Sequence, residues 1–292
     1  AELFARFGFK TWLRELQGGT SADPAPAASP SSAPAIASGP KVERHYELLL
    51  TEDDLARWMK RIESTDLVAF DTETTSLDPF QARLVGVSFA VAPGEAAYLA
   101  IAHEYPGAPT QIGVDRAVEL LRPWLEDPSR RKVGQNIKYD EHVLANHGVR
   151  LAGVAHDTLL ESYVLESHLR HDMDSLAERH LGEKTISYDD VTGTGAKRIG
   201  FEQVDVTRAM EYSAEDADIT RRLHDSMYPR LAAEQALSYV YEQIEIPVRS
   251  VLFGMERTGV HIDVDKLADQ SRALGQKMLE LEERAYREAG QP

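Results

Sequence analysis

A chain of 292 residues with a 42% apolar share can form one large globular domain or two smaller ones. It has no cysteine, which excludes disulfides, thiolate zinc sites and cysteine nucleophiles. It also has no apolar run of about 18 residues, so no membrane helix is expected. The formal net charge of −16 argues against holding nucleic acid by bulk electrostatics. Any such site must be local, with bound cations offsetting the carboxylates. No secretory signal is visible at the N-terminus, and a cytoplasmic location is expected.

Over residues 3–16, Phe9, Trp12, Leu13 and Leu16 fall on one helix face, which needs a partner surface. Residues 18–41 are dominated by Ala, Pro, Ser and Gly and read as a linker, with a domain boundary near 41. An edge strand is predicted over 45–50. Thr51, followed by Glu52, Asp53 and Asp54, caps a helix running to about Ser64. A buried strand over 67–71 comes next, then strands over 83–92 and 96–102 joined at Pro93-Gly94, giving an antiparallel meander. Further on, a helix is predicted over 115–125, a short strand over 132–135 and a helix over 137–147 closed by Gly148. A strand near 154–155 and helices over 157–168 and 173–181 follow. Residues 183–203 read as a long surface loop, and a helix is predicted from 206 through 226. The order predicts an α/β fold, a mixed sheet flanked by helices.

Beyond this, Leu237, Val240, Ile244, Val248, Val251, Leu252 and Met255 make a helical apolar stripe, with a kink predicted at Pro247. Residues 257–263 break the helix. Asp263 then caps another, in which Leu267, Leu274, Met278, Leu281 and Ala285 recur on one face. A stripe this long with nothing to close against is expected of the start of a further domain.

Chemistry concentrates where the 67–71 strand ends. Asp71 and Glu73 sit two apart, and alternate residues of an extended strand point to the same side. Two like charges held together are relieved by a cation, and hard oxygen donors suit magnesium or manganese. Alone, Asp-x-Glu is better read as a solvated turn at a strand end. Further acids match it. Asp140 opens a helix, and Tyr212 and Asp216 are four apart on one helix face, with Glu215 and Asp218 pointing elsewhere. Together Asp71, Glu73, Asp140 and Asp216 can line one pocket and hold two divalent ions about 4 Å apart, as phosphoryl displacement requires. Tyr212 and Glu73 can then orient a water. Gly193-Thr194-Gly195-Ala196-Lys197 lacks phosphate-loop spacing and reads as a mobile loop. The ten histidines are scattered, and no zinc site is expected.

Phe-Asp-Thr-Glu-Thr at 70–74, Gly-Gln-Asn-Ile-Lys-Tyr-Asp at 134–140 and Tyr-x-x-x-Asp at 212–216 resemble, in this order, the motifs of the DEDD 3′–5′ exonuclease superfamily in its tyrosine variant. Asp157-Thr158, the run from Asp172 to Arg179, and Ala214-Glu215-Asp216-Ala217-Asp218 are similar, more narrowly, to the proofreading domain of the bacterial DNA polymerase I family. The resemblance implies an RNase H-like exonuclease domain over 42–229 and an incomplete start of the polymerase domain, its thumb-base helices, over 230–292. It implies that residues 1–17 resemble the segment joining a 5′-nuclease part. Asp71, Glu73 and Asp216 would hold one Mg²⁺ or Mn²⁺, and Asp71 and Asp140 a second. Tyr212 would position the nucleophilic water. Leu77 would wedge against the terminal base of a frayed DNA strand and Tyr139 would offer a stacking face. Gln135 and Asn136 would contact the strand, and Arg170 a phosphate. The implied activity is removal of 3′-terminal nucleotides from single-stranded or frayed DNA as 5′-monophosphates. The parent chain would be a DNA-directed DNA polymerase of replication and repair whose polymerase site lies outside these residues. A ribonuclease D-like exoribonuclease and a silent scaffold share parts of this pattern. The polymerase-like flanks argue against the first and the intact acids against the second.

Overall fold

A computed structural model of the chain describes residues 42–290. The helix expected over 3–16 and the linker over 18–41 lie outside the described residues. Six strands carry the fold: β1 (His45–Leu49), β2 (Leu67–Thr74), β3 (Leu84–Ala92), β4 (Glu95–Ala100), β5 (Arg131–Gly134) and β6 (Val154–Asp157). They form one sheet in the order β1-β4-β3-β2-β5-β6. The meander β2-β3-β4 is antiparallel, as expected, while β1, β5 and β6 join in parallel. The mixed α/β architecture read from the sequence is the one observed.

Helices cover both faces, as a sheet with parallel strands requires. On one side lie α1 (Glu52–Glu63), α2 (Val114–Leu125) and α3 (Ile137–Asn146). Leu55, Trp58 and Ile62 of α1 and Leu121 and Trp124 of α2 pack there against Val68, Phe70, Phe89 and Leu99. Thr51 and Asp54 form the reciprocal cap that starts α1. After β6, chain direction is carried by α4 (Thr158–Leu165), α5 (Met173–Leu176) with a π-helical turn to Leu181, and α6 (Tyr188–Thr192). The other side of the sheet belongs to α7 (Val206–Ala232), a 27-residue helix. Its small residues Ala214 and Ala217 meet Leu67, Ala69, Ala90 and Val133. Side chains this short let the helix axis come close to the sheet.

Two local readings need correction. The strand predicted to end at Asp71 runs on to Thr74, because pairing with β3 continues through Glu73, opposite Gly86. Residues 183–203 do not form a simple surface loop. They contain α6 and two short 3₁₀ turns, and Val191 and Phe201 are buried against Val85 and Tyr98. The signal was present in the capping pair Ser187 and Asp190. Glu215 and Asp218 of α7 do point away from the cleft, as expected, and both are buried anchors. Asp218 accepts from the Gly94 amide at 2.6 Å and the Tyr46 hydroxyl at 2.9 Å, and Glu215 accepts from the Ile186 amide at 2.6 Å.

The trailing segment comprises α8 (Gln235–Val240), a π-helical turn over Tyr241–Glu245, α9 (Ile246–Thr258) and α10 (Val264–Ala289). The irregularity predicted at Pro247 falls just before it, since the wider π turn accommodates a residue that has no N–H to give. Tyr241 is buried, and its hydroxyl accepts from the Asp157 amide at 3.0 Å. The carboxylate of Asp157 in turn accepts from the amides of Asn136 at 2.9 Å and Ile137 at 3.0 Å, the start of α3, and of Leu159 at 3.0 Å, the start of α4. One buried acid therefore caps two helices. Asp157→Ala leaves three helix-start amides, that of Ile137 buried, without this acceptor. It is expected to destabilise the fold by about 2–4 kcal/mol, read from urea unfolding midpoints.

Candidate active site

The face of β2 that turns toward α7 carries Leu67 and Ala69, and the same alternation continues with Asp71 and Glu73. Asp71 stands opposite Ser88 and Glu73 opposite Gly86. The Tyr98 ring fills the space where a side chain at position 86 would begin, so this place in the ladder admits only glycine. His103 donates from Nδ1 to the Val204 carbonyl at 2.9 Å, which leaves Nε2 to accept from the Tyr98 hydroxyl at 2.7 Å. The floor under the two acids is thereby fixed.

From the opposite side α7 brings Tyr212 and Asp216 on one face. Asp71, Glu73 and Asp216 each place a carboxylate oxygen within 4.8 Å of the others. The Ser213 hydroxyl donates to Glu73 at 2.7 Å, and the charge of Asp216 adds to burial in raising the Tyr212 hydroxyl. Asp140, buried on the first turn of α3, accepts from the Thr72 amide at 3.0 Å and from the Thr72 hydroxyl at 2.6 Å. Thr72 lies between the two strand acids and points to the other face, toward α3. All four carboxylates and Tyr212 line a single cleft of about 590 Å³.

Proximity and burial oppose ionisation here. Burial pushes the Asp71 carboxyl up to about 7. Glu73 is raised by burial and then by the charge of Asp71, Asp140 likewise, and Asp216 by burial, Asp71 and Glu73. A divalent cation removes this cost, and an all-carboxylate donor set fits a hard ion. A second buried group, His156, Glu161 and His224, has similar spacing. Its chemistry differs. Arg131 can only donate, and it donates to His156 Nε2 at 2.9 Å, while His224 Nδ1 shares a proton with Glu161 at 2.7 Å. Burial depresses His156 to about 3 and His224 to about 4, so both rings are neutral members of a hydrogen-bonded knot.

The remaining residues expected at the site are distributed around the cleft. Leu77 stands at its mouth with 91% of its surface exposed. Gln135 lines the cleft, but its amide is held by Thr158 and the His171 carbonyl. Asn136 also lines it and adopts a left-handed backbone, φ 59°, the turn that separates β5 from α3. The Tyr139 hydroxyl bonds Thr74 and the Ser76 carbonyl, pinning the loop that carries Leu77. Arg170 lies in an adjoining depression, paired with Asp172 at 2.9 Å. Sequence reasoning missed Thr72 and Ser213, both hydroxyls flanking motif acids. It also missed Tyr188, Arg198, Ile199 and Gly200, which reach the cleft from the segment taken for a surface loop.

A mixed sheet whose central strand carries Asp71 and Glu73, with Asp140 and Asp216 brought to the same cleft by flanking helices, is the setting of the site. The family model described as 3′–5′ exonuclease matches residues 46–232, and the chain belongs to that family. It is 46% identical over 294 residues to DNA polymerase I of Pseudomonas aeruginosa, covering 99% of this chain and 31% of the relative. It is 40% identical over 255 residues to DNA polymerase I of Rhizobium leguminosarum, covering 81% of this chain and 25% of that one. The chain thus spans less than a third of the length of either relative. Among solved structures, the POL domain of Pol1 from M. smegmatis, in complex with DNA primer-template and dNTP, shares the fold. Its TM-score is 0.65 at 22% identity, covering 84% of this chain and 38% of that one. No described helix is long and apolar enough to cross a membrane.

Ser213→Ala frees Glu73 from its donor and is expected to weaken divalent-ion affinity or activity about tenfold to a hundredfold, read by titration calorimetry and hydrolysis rates. Metal competes with protons for raised carboxyls, so affinity should climb as pH rises through about 7. Without metal the same raised carboxyls cost stability as pH rises above their unfolded values. The increase in Tm on adding Mg²⁺ should therefore be larger at pH 8 than at pH 6.

Proposed function

We propose that this chain hydrolyses 3′-terminal phosphodiesters of single-stranded or frayed DNA, releasing 5′-monophosphates, as the proofreading module of a larger DNA polymerase. The observation that supports this most directly is the three-acid group of Asp71, Glu73 and Asp216, with Asp140 across the same cleft. In this reading Asp71, Glu73 and Asp216 hold one Mg²⁺ or Mn²⁺, and Asp71 and Asp140 a second. Bound there, such ions supply a water of lowered pKa and charge stabilisation for the leaving 3′ oxygen. The protein's own groups do the positioning. Ser213 holds one Glu73 oxygen, leaving the other for the water. The Tyr212 hydroxyl, kept protonated by burial and by Asp216, is a donor to that water or to a phosphate oxygen. Thr72 fixes the orientation of Asp140.

At the mouth, exposed Leu77 separates the terminal base from its neighbour, and Tyr139, Gln135 and Asn136 line the path of the strand. Arg170 is read as a more distant phosphate contact. A mispaired end costs less to unpair, so it reaches such a cleft more often than a matched one. The domain reading follows: exonuclease over 42–229, and the beginning of a polymerase domain over 230–292. The partners are a 3′ DNA end and the remaining polymerase and 5′-nuclease parts of a parent chain working at the bacterial nucleoid.

The test is a labelled-oligonucleotide digest with matched, 3′-mismatched and single-stranded DNA and single-stranded RNA, in Mg²⁺ or EDTA. Mg²⁺-dependent 3′ trimming is expected, faster on single-stranded and mismatched DNA. Asp71→Ala should lower the rate by about 10³-fold or more. A preference for RNA, or an Asp71→Ala protein that keeps both metal affinity and hydrolysis, would overturn the reading.

A further inference from the structure

Among the described residues lining the acidic cleft, Arg198 is the single cation. It stands on the segment after α6, between Gly195 and Gly200, where the backbone turns through positive φ at Gly193 and Gly195. Its guanidinium pairs with Asp189, its Nε donates to the Gly193 carbonyl at 3.3 Å, and its charge centre lies 5.9 Å from the Tyr188 ring. Tyr188 meets Tyr212 edge to face at 6.3 Å, and the charge of Glu73 adds to burial in raising its hydroxyl. Arg198 is thus joined to the acid cluster through two aromatic rings.

A phosphodiester strand entering a cleft of carboxylates is repelled wherever no positive charge faces it. Both partners of the Arg198–Asp189 pair are about half exposed, 49% and 51%. An ion pair this exposed contributes little to stability and is easily exchanged. A guanidinium prefers the bidentate geometry that phosphate oxygens offer as well as a carboxylate does. The occupant that exchanges most readily with Asp189 is therefore a backbone phosphate of the substrate strand.

We infer that Arg198 is a substrate-phosphate contact held in reserve by Asp189, which it leaves when a nucleic-acid strand enters the cleft. This rests on the cleft being the strand-binding site, as proposed above. Asp189 then acts as an intramolecular competitor, and its removal strengthens binding instead of weakening it.

The test is the affinity of a fluorescent single-stranded DNA oligonucleotide, with Ca²⁺ as the ion, across a salt series. Arg198→Ala should weaken binding roughly tenfold and reduce the slope of log affinity against log salt by about 0.7, the loss of one phosphate contact. Arg198→Lys should keep the slope while losing part of the affinity. Asp189→Asn should tighten binding roughly threefold, and only while Arg198 is present. The inference is overturned if Arg198→Ala leaves affinity and slope unchanged or if the wild type binds no strand. An equal gain from Asp189→Asn in the Arg198→Ala background also overturns it. Hydrolysis of the same oligonucleotide in Mg²⁺ separates this from the nuclease reading. Arg198-dependent binding without hydrolysis removes the nuclease alone, and hydrolysis with Arg198-indifferent binding removes only the contact.

Discussion

Like charges that must stay together shape what surrounds them. Asp71, Glu73 and Asp216 share a space where water screens them poorly, and each raises the proton affinity of the next. A flexible scaffold would relax by letting the carboxylates swing apart. Here that relaxation is blocked on each side. Asp71 and Glu73 belong to a central strand paired on both edges, Glu73 is tied by Ser213, Asp216 sits on the long helix α7 packed on the sheet, and Asp140 is held by Thr72. The stress is balanced by the extensive apolar packing of both sheet faces and by acids of another kind, Asp218 and Glu215, whose charges are satisfied by donors. The same helix therefore carries one carboxylate meant to stay reactive and two neutralised into structure.

Much of this was legible before any coordinates. The spacing of two between Asp71 and Glu73 means one thing on a strand. The spacing of four between Tyr212 and Asp216 means the same on a helix, and the motif order gave the resemblance its force. The illegible parts have physical causes. Carboxylates interrupt an apolar pattern, so hydropathy closes β2 at Asp71 although the ladder continues through Glu73. The 183–203 segment is rich in glycine and polar residues, and only long-range packing of Val191 and Phe201 draws it into the fold. Periodicity around 212–218 says which residues share a face. It cannot say that the opposite face is buried as well, because that depends on Arg44, Tyr46 and Ile186 arriving from elsewhere.

The trailing helices illustrate another boundary between pattern and contact. Their apolar stripe was plain, and Val251, Met255, Leu267, Leu274 and Met278 remain exposed. What the pattern did not reveal is how firmly the first of these helices is attached. Tyr241 enters the buried knot of His156, Glu161 and His224. Arg249 pairs with Glu141, and Glu256 with Lys138 and His142 at 2.8 Å. Three of these partners lie on α3, the helix that presents Asp140.

The topology also bears on the order in which the molecule assembles. The meander β2-β3-β4 is local in sequence, so Asp71 and Glu73 are set side by side by contacts that close early. Asp216 arrives on α7, after every strand has been laid down, and β1 must reach across to β4 in parallel. The complete ion-binding geometry therefore exists only in the finished fold. A divalent ion cannot template the chain's collapse; it acts afterwards, as mass action on the native state, slowing its loss instead of hastening its formation.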